Sequence, residues 1–234
     1  MRNSQNPKSS DNVILVAGDS VINGGSLTDQ NSLATSLLQS HLKLKSNKKN
    51  IFVGNISAGS WGPKNILEYF KKFGFFNAKN LIYVISSHDL NDNPSFKKLD
   101  RHITPESNYY FAIEELIFKY IIREFNAIFF KKTTKVKRPL KDNIISSGVQ
   151  IEKIVNITKQ QRIKLCIILH PTVEEIENKY KKNYEILYNF FKKFSDIKVI
   201  DNKPFLNISD YRDNIHLNKS GQKTLFQTLQ KCLY

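Results

Sequence analysis

Residues 13–25 read VILVAGDSVINGG. An apolar run, VILVA over 13–17, stops at Gly18-Asp19-Ser20 and gives way to a polar, glycine-bearing segment. Strands buried on both faces of a parallel sheet read as continuous apolar runs, not as alternating ones. An isolated Gly-Asp-Ser is usually a turn. A serine set where a buried strand surfaces is also well placed to be a nucleophile, and the rest of the chain must decide between the two.

Four further runs match the first: IFVGNIS (51–57), LIYVIS (81–86), KLCIILH (164–170) and IKVID (197–201). Between them lie stretches with helical spacing of apolar residues, over 29–42, 64–73, 174–194 and 219–233. This alternation predicts an α/β fold, with a central five-stranded parallel sheet covered by helices on both faces. Right-handed crossovers place the loops that follow the strands along one rim, where such sheets form their sites. Residues 88–160 break the rhythm. A polar loop over 88–108 leads to a helix over about 109–130, the basic run KKTTKVKRPLK (131–141), and a second helix reaching about 160. We read 1–234 as a single domain with a helical and basic insertion at about 93–160.

Composition sets outer limits. The 234 residues, 40% hydrophobic, suffice for one sizeable core. The net charge of +15 favours an anionic partner or surface. The basic run lacks interleaved aromatics for stacking bases, so it reads as a solvated loop rather than a nucleic-acid patch; the expected partner is a small-molecule or glycan acyl-ester substrate, an anionic saccharide being one option. Cys166 and Cys232 have no metal-type spacing, and Cys166 within LCIIL reads as a buried free thiol. With no disulfide framework, no apolar leader in MRNSQNPKSSDN and no run long enough to span a bilayer, the expectation is a soluble cytoplasmic protein with no transmembrane segment.

Unusual polar groups sit at three of the five strand ends: Gly18-Asp19-Ser20, GNISAGSWGPKN (54–65) and SSHDLND (86–92). A fourth polar segment, YRDNIHLNKSGQ (211–222), precedes the last helix. A serine hydroxyl needs a base to take its proton, and the base needs an orienting partner. Asp213 and His216, in Asp-x-x-His spacing, supply both from one short turn. An oxyanion needs preorganised donors. The candidates are the N–H of Ser20, an N–H of the Gly59-Ser60 turn, and a side chain from the third loop. No cofactor is required. His88, Asp89, Asp92 and His216 are ligand types, but no local spacing demands a metal, and GDSVINGG lacks a phosphate-loop pattern.

These blocks, in this order, resemble the SGNH/GDSL hydrolase superfamily from the first strand to the last helix. GDS at 18–20 is similar to the nucleophile block, NISAGSWG at 55–62 to the second block, and DNIHLNKSG at 213–221 to the Asp-x-x-His block. The resemblance implies a three-layer, flavodoxin-like α/β/α fold and acyl-ester chemistry. Ser20 would be the nucleophile, His216 the base and Asp213 its partner. The chain departs from the family pattern twice. Ser60 stands where the family has an oxyanion glycine, with Gly59 one residue earlier. The third block, usually Gly-x-Asn-Asp, reads Ser86-Ser87-His88-Asp89, so His88 takes the place of the oxyanion asparagine; Asn91-Asp92 is a shifted alternative. The expected activity is hydrolysis of a short acyl ester, acetyl above all, on a carbohydrate or other alcohol. Acyl transfer to a saccharide with the same triad, and a non-catalytic module for anionic ligands, are the rival readings. Asp19 is expected to brace the turn, Asn55 to tie loops together, and Trp61 either to stack on a sugar or to pack in the core. His170 either lines the site or caps its strand.

Overall fold

The computed structural model describes residues 2–3, 5–47, 50–90, 92, 111–117, 140–179 and 181–233. The chain divides into two compact units, 1–94 with 140–234, and 95–139. In the second unit the described element is the short helix α4, Ala112–Leu116. Asn91, His102, most of the helix expected over 109–130 and the basic run up to residue 139 lie outside the described residues.

The first unit holds five strands: β1 (Asn12–Gly18), β2 (Ile51–Ser57), β3 (Asn80–Ser86), β4 (Lys164–His170) and β5 (Lys198–Asp201). They form one parallel sheet in the order β2-β1-β3-β4-β5. Alternate residues of each strand feed opposite layers. Leu15, Ala17, Ile56, Leu81, Tyr83 and Ile167 face a core shared with α3 (Pro63–Phe73), α5 (Leu140–Gln160) and α7 (Lys181–Phe191). Ile14, Val16, Val53, Ile82, Val84 and Ile168 face α2 (Ala34–Ser46) and α8 (Lys219–Lys231). The result is the expected three-layer α/β/α architecture.

Register sets the site. Gly18 lies beside Ser57, and Ser86 beside His170, so these strands end on one rim. The chain leaves β1 between β2 and β3, which lie on opposite sides of it. This is the topological switch point where open α/β sheets bind ligands. Gly18 is required there by close packing rather than by backbone conformation. Its φ is not positive, but a Cβ would stand 2.9 Å from Ile22 Cγ1 and 3.0 Å from the Val84 carbonyl. Only a residue without a side chain lets α1 (Ser20–Asn23) fold back so closely on the sheet.

Several expectations need correction. The helix expected over 29–42 is a 3-10 turn, Gln30–Ser32, followed by α2, with extended Leu33 between them. The helix expected over 174–194 is two: α6 (Val173–Ile176) and α7, separated where Asn178 takes a left-handed φ of 62°. Within the segment read as an insertion, α5 packs Ile151, Ile154 and Val155 into the main core. The two cysteines are not free. Cys166 at the start of β4 and Cys232 after α8 form a disulfide across 66 residues of chain. The compartment expectation rested in part on free thiols and loses that part of its support. Among the described residues no helix is long and apolar enough to cross a membrane.

A crosslink closing a loop of 66 residues constrains the unfolded chain by about 4 kcal/mol in the loop-entropy description. Non-reducing peptide mapping is expected to recover the Cys166–Cys232 pair. Cys232→Ser is expected to lower the melting temperature by several degrees, and dithiothreitol to lower the wild type to the same value.

Candidate active site

Ser20 is the first residue of α1, so its N–H has no acceptor within the helix. Asp19 caps the helix, its Oδ1 accepting from Val21 N at 2.9 Å. This is the bracing role expected of it. Asn55 does tie loops together: its Nδ2 donates to the Ile22 carbonyl at 2.9 Å and to Thr35 Oγ1 at 3.1 Å, while the Ser57 hydroxyl donates to its Oδ1. Trp61 packs on the main core, against Tyr69.

The structure brings Ser20, His216 and Asp213 together. His216 Nε2 lies 2.9 Å from Ser20 Oγ, and its Nδ1 lies 2.7 Å from Asp213 Oδ2. The other carboxylate oxygen accepts from the N–H groups of Ile215 at 3.0 Å and His216 at 2.7 Å. One aspartate thus folds the turn and orients the ring. Burial pushes the Asp213 carboxyl upward, but those two N–H groups and the imidazole outweigh it and hold it below the ordinary carboxylate value. The trailing residues of DNIHLNKSG dock the turn. Asn218 caps α8 through Ser220 N and Gly221 N, and a Cβ on Gly221 would meet the Asp210 carbonyl at 2.3 Å. Arg212 Nη1 reaches the Gly24 carbonyl at 3.2 Å and Thr28 Oγ1 at 3.1 Å, joining this segment to the loop after α1.

Ser60 is exposed and has a φ of 57°, the left-handed region that favours glycine. The backbone turn of the second block therefore forms with a serine where the family has glycine. Gly59 is also exposed. His88 is committed to another group: its Nε2 lies 3.1 Å from Asp19 Oδ2 and 3.7 Å from Asp89 Oδ1. Its Nδ1 is buried and has no hydrogen-bond partner among the described residues. Asp89 Oδ2 accepts from Ser86 N at 2.7 Å. The ligand atoms of Asp19, His88 and Asp89 lie within 4.8 Å of one another. The cation we assign to this cluster is the imidazolium of His88. Burial opposes that charge, but the hydrogen bond to Asp19 and the charges of Asp89, Asp19 and Asp92 outweigh it and push His88 up to about 9. Burial first, and then Asp19, hold the Asp89 carboxyl far above its ordinary value.

One buried group, Glu175, has no role in the sequence reading, and another, His170, has two alternative ones. Glu175, 2% exposed, accepts from the Ser87 hydroxyl and from Thr172 N at 2.8 Å. The Thr-x-x-Glu spacing of a capping box was its visible signal. His170, left undecided between lining the site and capping its strand, is fully buried beneath the Asp-x-x-His turn, with Nε2 3.0 Å from the Ile215 carbonyl.

Comparison with known proteins follows this geometry. No family model matches the chain, and no curated protein matches it in sequence. Solved structures do match in fold. The acetyl xylan esterase AlAXEase is 12% identical, with a TM-score of 0.61 over 95% of this chain and 100% of its own. A catalytic mutant of Axe2, an acetylxylan esterase from Geobacillus stearothermophilus, is 11% identical, with a TM-score of 0.60 over 96% and 94%. A G-D-S-L family lipolytic protein from Desulfitobacterium hafniense is 13% identical, with a TM-score of 0.56 over 95% and 99%. The chain has the flavodoxin-like fold of the SGNH/GDSL proteins.

Both shifts in the His88 cluster leave the folded protein holding more protons than the unfolded chain, so their contribution to stability falls as pH rises. The His88 part is complete below 6.5 and lost through about 9. Thermal melts are expected to move downward between pH 6.5 and 9.5. In an NMR titration the His88 ring should ionise near 9, and Asp89→Asn should bring that midpoint down.

Proposed function

We propose that the chain is a serine acyl-ester hydrolase that removes a short acyl group, acetyl above all, from an oxygen of a carbohydrate or other alcohol. One observation carries this reading: the 2.9 Å contact from Ser20 Oγ to His216 Nε2, continued by the 2.7 Å contact from His216 Nδ1 to Asp213. Ser20 Oγ attacks the acyl carbonyl while His216 takes its proton. The Asp213 carboxylate stabilises the imidazolium without accepting that proton. The oxyanion is received by the N–H of Ser20 and an N–H of Ser60 or Gly59. His88 supplies positive charge beside it, and reaches the oxyanion directly only by leaving Asp19. His216 returns a proton to the departing alcohol. Water, deprotonated by His216, then releases the acid and restores Ser20.

The acetylxylan esterases among the fold relatives support a carbohydrate ester as substrate, and the net charge of +15 supports an anionic one. No cofactor enters any step. We read 1–234 as one hydrolase domain interrupted by an insertion. The Cys166–Cys232 disulfide supports an oxidising compartment rather than the expected cytoplasm.

Purified protein is expected to hydrolyse p-nitrophenyl acetate, and Ser20→Ala to lower kcat by about 10^4-fold or more with an unchanged melting temperature. Turnover by Ser20→Ala at the wild-type rate would refute the assignment. With an acyl donor and candidate glycans, mass spectrometry should record acyl loss; acyl gain would redirect the reading to transfer.

A further inference from the structure

His170 ends β4, and its ring is completely buried. A backbone carbonyl only accepts, so the 3.0 Å contact with Ile215 O makes Nε2–H the donor. Nδ1 then carries a lone pair, and among the described residues it is buried without a partner. Unlike the His88 ring, this ring is in ion-pair contact with no carboxylate among the described residues, so it is neutral with its hydrogen on Nε2. Burial is the largest influence on its ionisation. Joined by the neighbouring His88 and His216, it outweighs the Ile215 hydrogen bond and Asp19 and pushes His170 down to about 4.

The acceptor is the important part of this contact. The Ile215 carbonyl and the His216 N–H belong to one planar peptide unit. Its N–H is held by Asp213 Oδ1 at 2.7 Å, and its C=O by His170 at 3.0 Å. The plane from which the His216 side chain departs is therefore gripped at both ends. Surrounding contacts dock the same turn on the end of β4. Tyr211 OH donates to the Pro171 carbonyl at 2.6 Å, Val173 N donates to the Asn214 carbonyl at 2.8 Å, and the Tyr211 ring lies against His170.

We propose that His170 is a positioning residue for the triad: its Nε2–H fixes the Ile215–His216 peptide plane and so aims the His216 imidazole between Ser20 and Asp213. The proposal rests on the triad reading for its effect on turnover, but its geometric part stands without it. Ring orientation matters because a general base must meet its proton within hydrogen-bond reach.

Two substitutions separate donor from ring. His170→Gln places an amide N–H near the position of Nε2–H. His170→Phe keeps the ring volume and removes the donor. The first readout needs no turnover: the far-downfield proton resonance of His216 Nδ1–H bonded to Asp213. It is expected in the wild type and in His170→Gln, and lost or shifted upfield in His170→Phe. On p-nitrophenyl acetate, His170→Phe is expected to lose roughly tenfold or more in kcat with KM within about twofold, as supporting residues behind a reactive histidine do. His170→Gln is expected to recover most of that loss. A wild-type resonance in His170→Phe, or a His170→Gln that fails like His170→Phe, overturns the proposal. Should His170→Phe not fold, nitrogen-15 shifts of the wild-type ring decide instead. A neutral Nε2–H tautomer at pH 7 is required, and an Nδ1–H tautomer or an imidazolium overturns it. Wild-type protein with the expected spectra but no esterase turnover would refute the proposed function and leave the role of His170 standing.

Discussion

Five strands run in one direction, so their C-terminal ends share a rim. Parallel hydrogen bonding with Gly18 beside Ser57 and Ser86 beside His170 carries four polar segments to that rim at once. Serine, glycine turn, charged cluster and buried histidine come from regions of the sequence up to about 150 residues apart and have no local reason to meet. After β2 the chain passes over β1 to pair β3 on its other side. Ser20, which follows β1, therefore emerges at the crevice where the strand order reverses. A register slip of one residue would turn Leu15 and Ala17 out of their core and move Ser20 with them.

On this frame the polar groups are organised in pairs. Asp213 folds its own turn with one oxygen and orients His216 with the other. Asp19 caps α1 with one oxygen and holds His88 with the other. The two aspartates brace the segments that carry Ser20 and His216, and each contacts one imidazole. The difference lies in burial. Asp213 is half exposed, whereas Asp19 and Asp89 are buried at 4% and 2% exposure. Burial holds Asp89 toward its neutral form, but the buried Asp19 carboxylate needs a nearby positive charge, because isolated charge is costly in the interior. His88 supplies it. An asparagine at this position would offer a hydrogen bond but no charge.

The strands and the triad were legible in the sequence because both are written locally. Apolar runs of five to seven residues mark buried strands, and Asp213-x-x-His216 places base and orienter on one turn. The remaining features depend on distant contacts. Nothing near His88 in sequence shows that Asp19, 69 residues away, takes its Nε2. His170 meets Ile215 across 45 residues, and Cys166 meets Cys232 only because α8 ends beside the start of β4. The break between α6 and α7 was hidden for a different reason. Asn178 takes the left-handed conformation without the glycine that would have announced it.

The central claim is that Ser20 is an activated nucleophile rather than a turn residue. Treatment with a fluorophosphonate followed by peptide mass spectrometry tests it most directly, since the reagent reacts with serine only where a base withdraws its proton. The expected result is one stoichiometric adduct on Ser20, lost in His216→Ala. An unmodified Ser20 in folded protein, or an adduct on another residue that persists in His216→Ala, would contradict it.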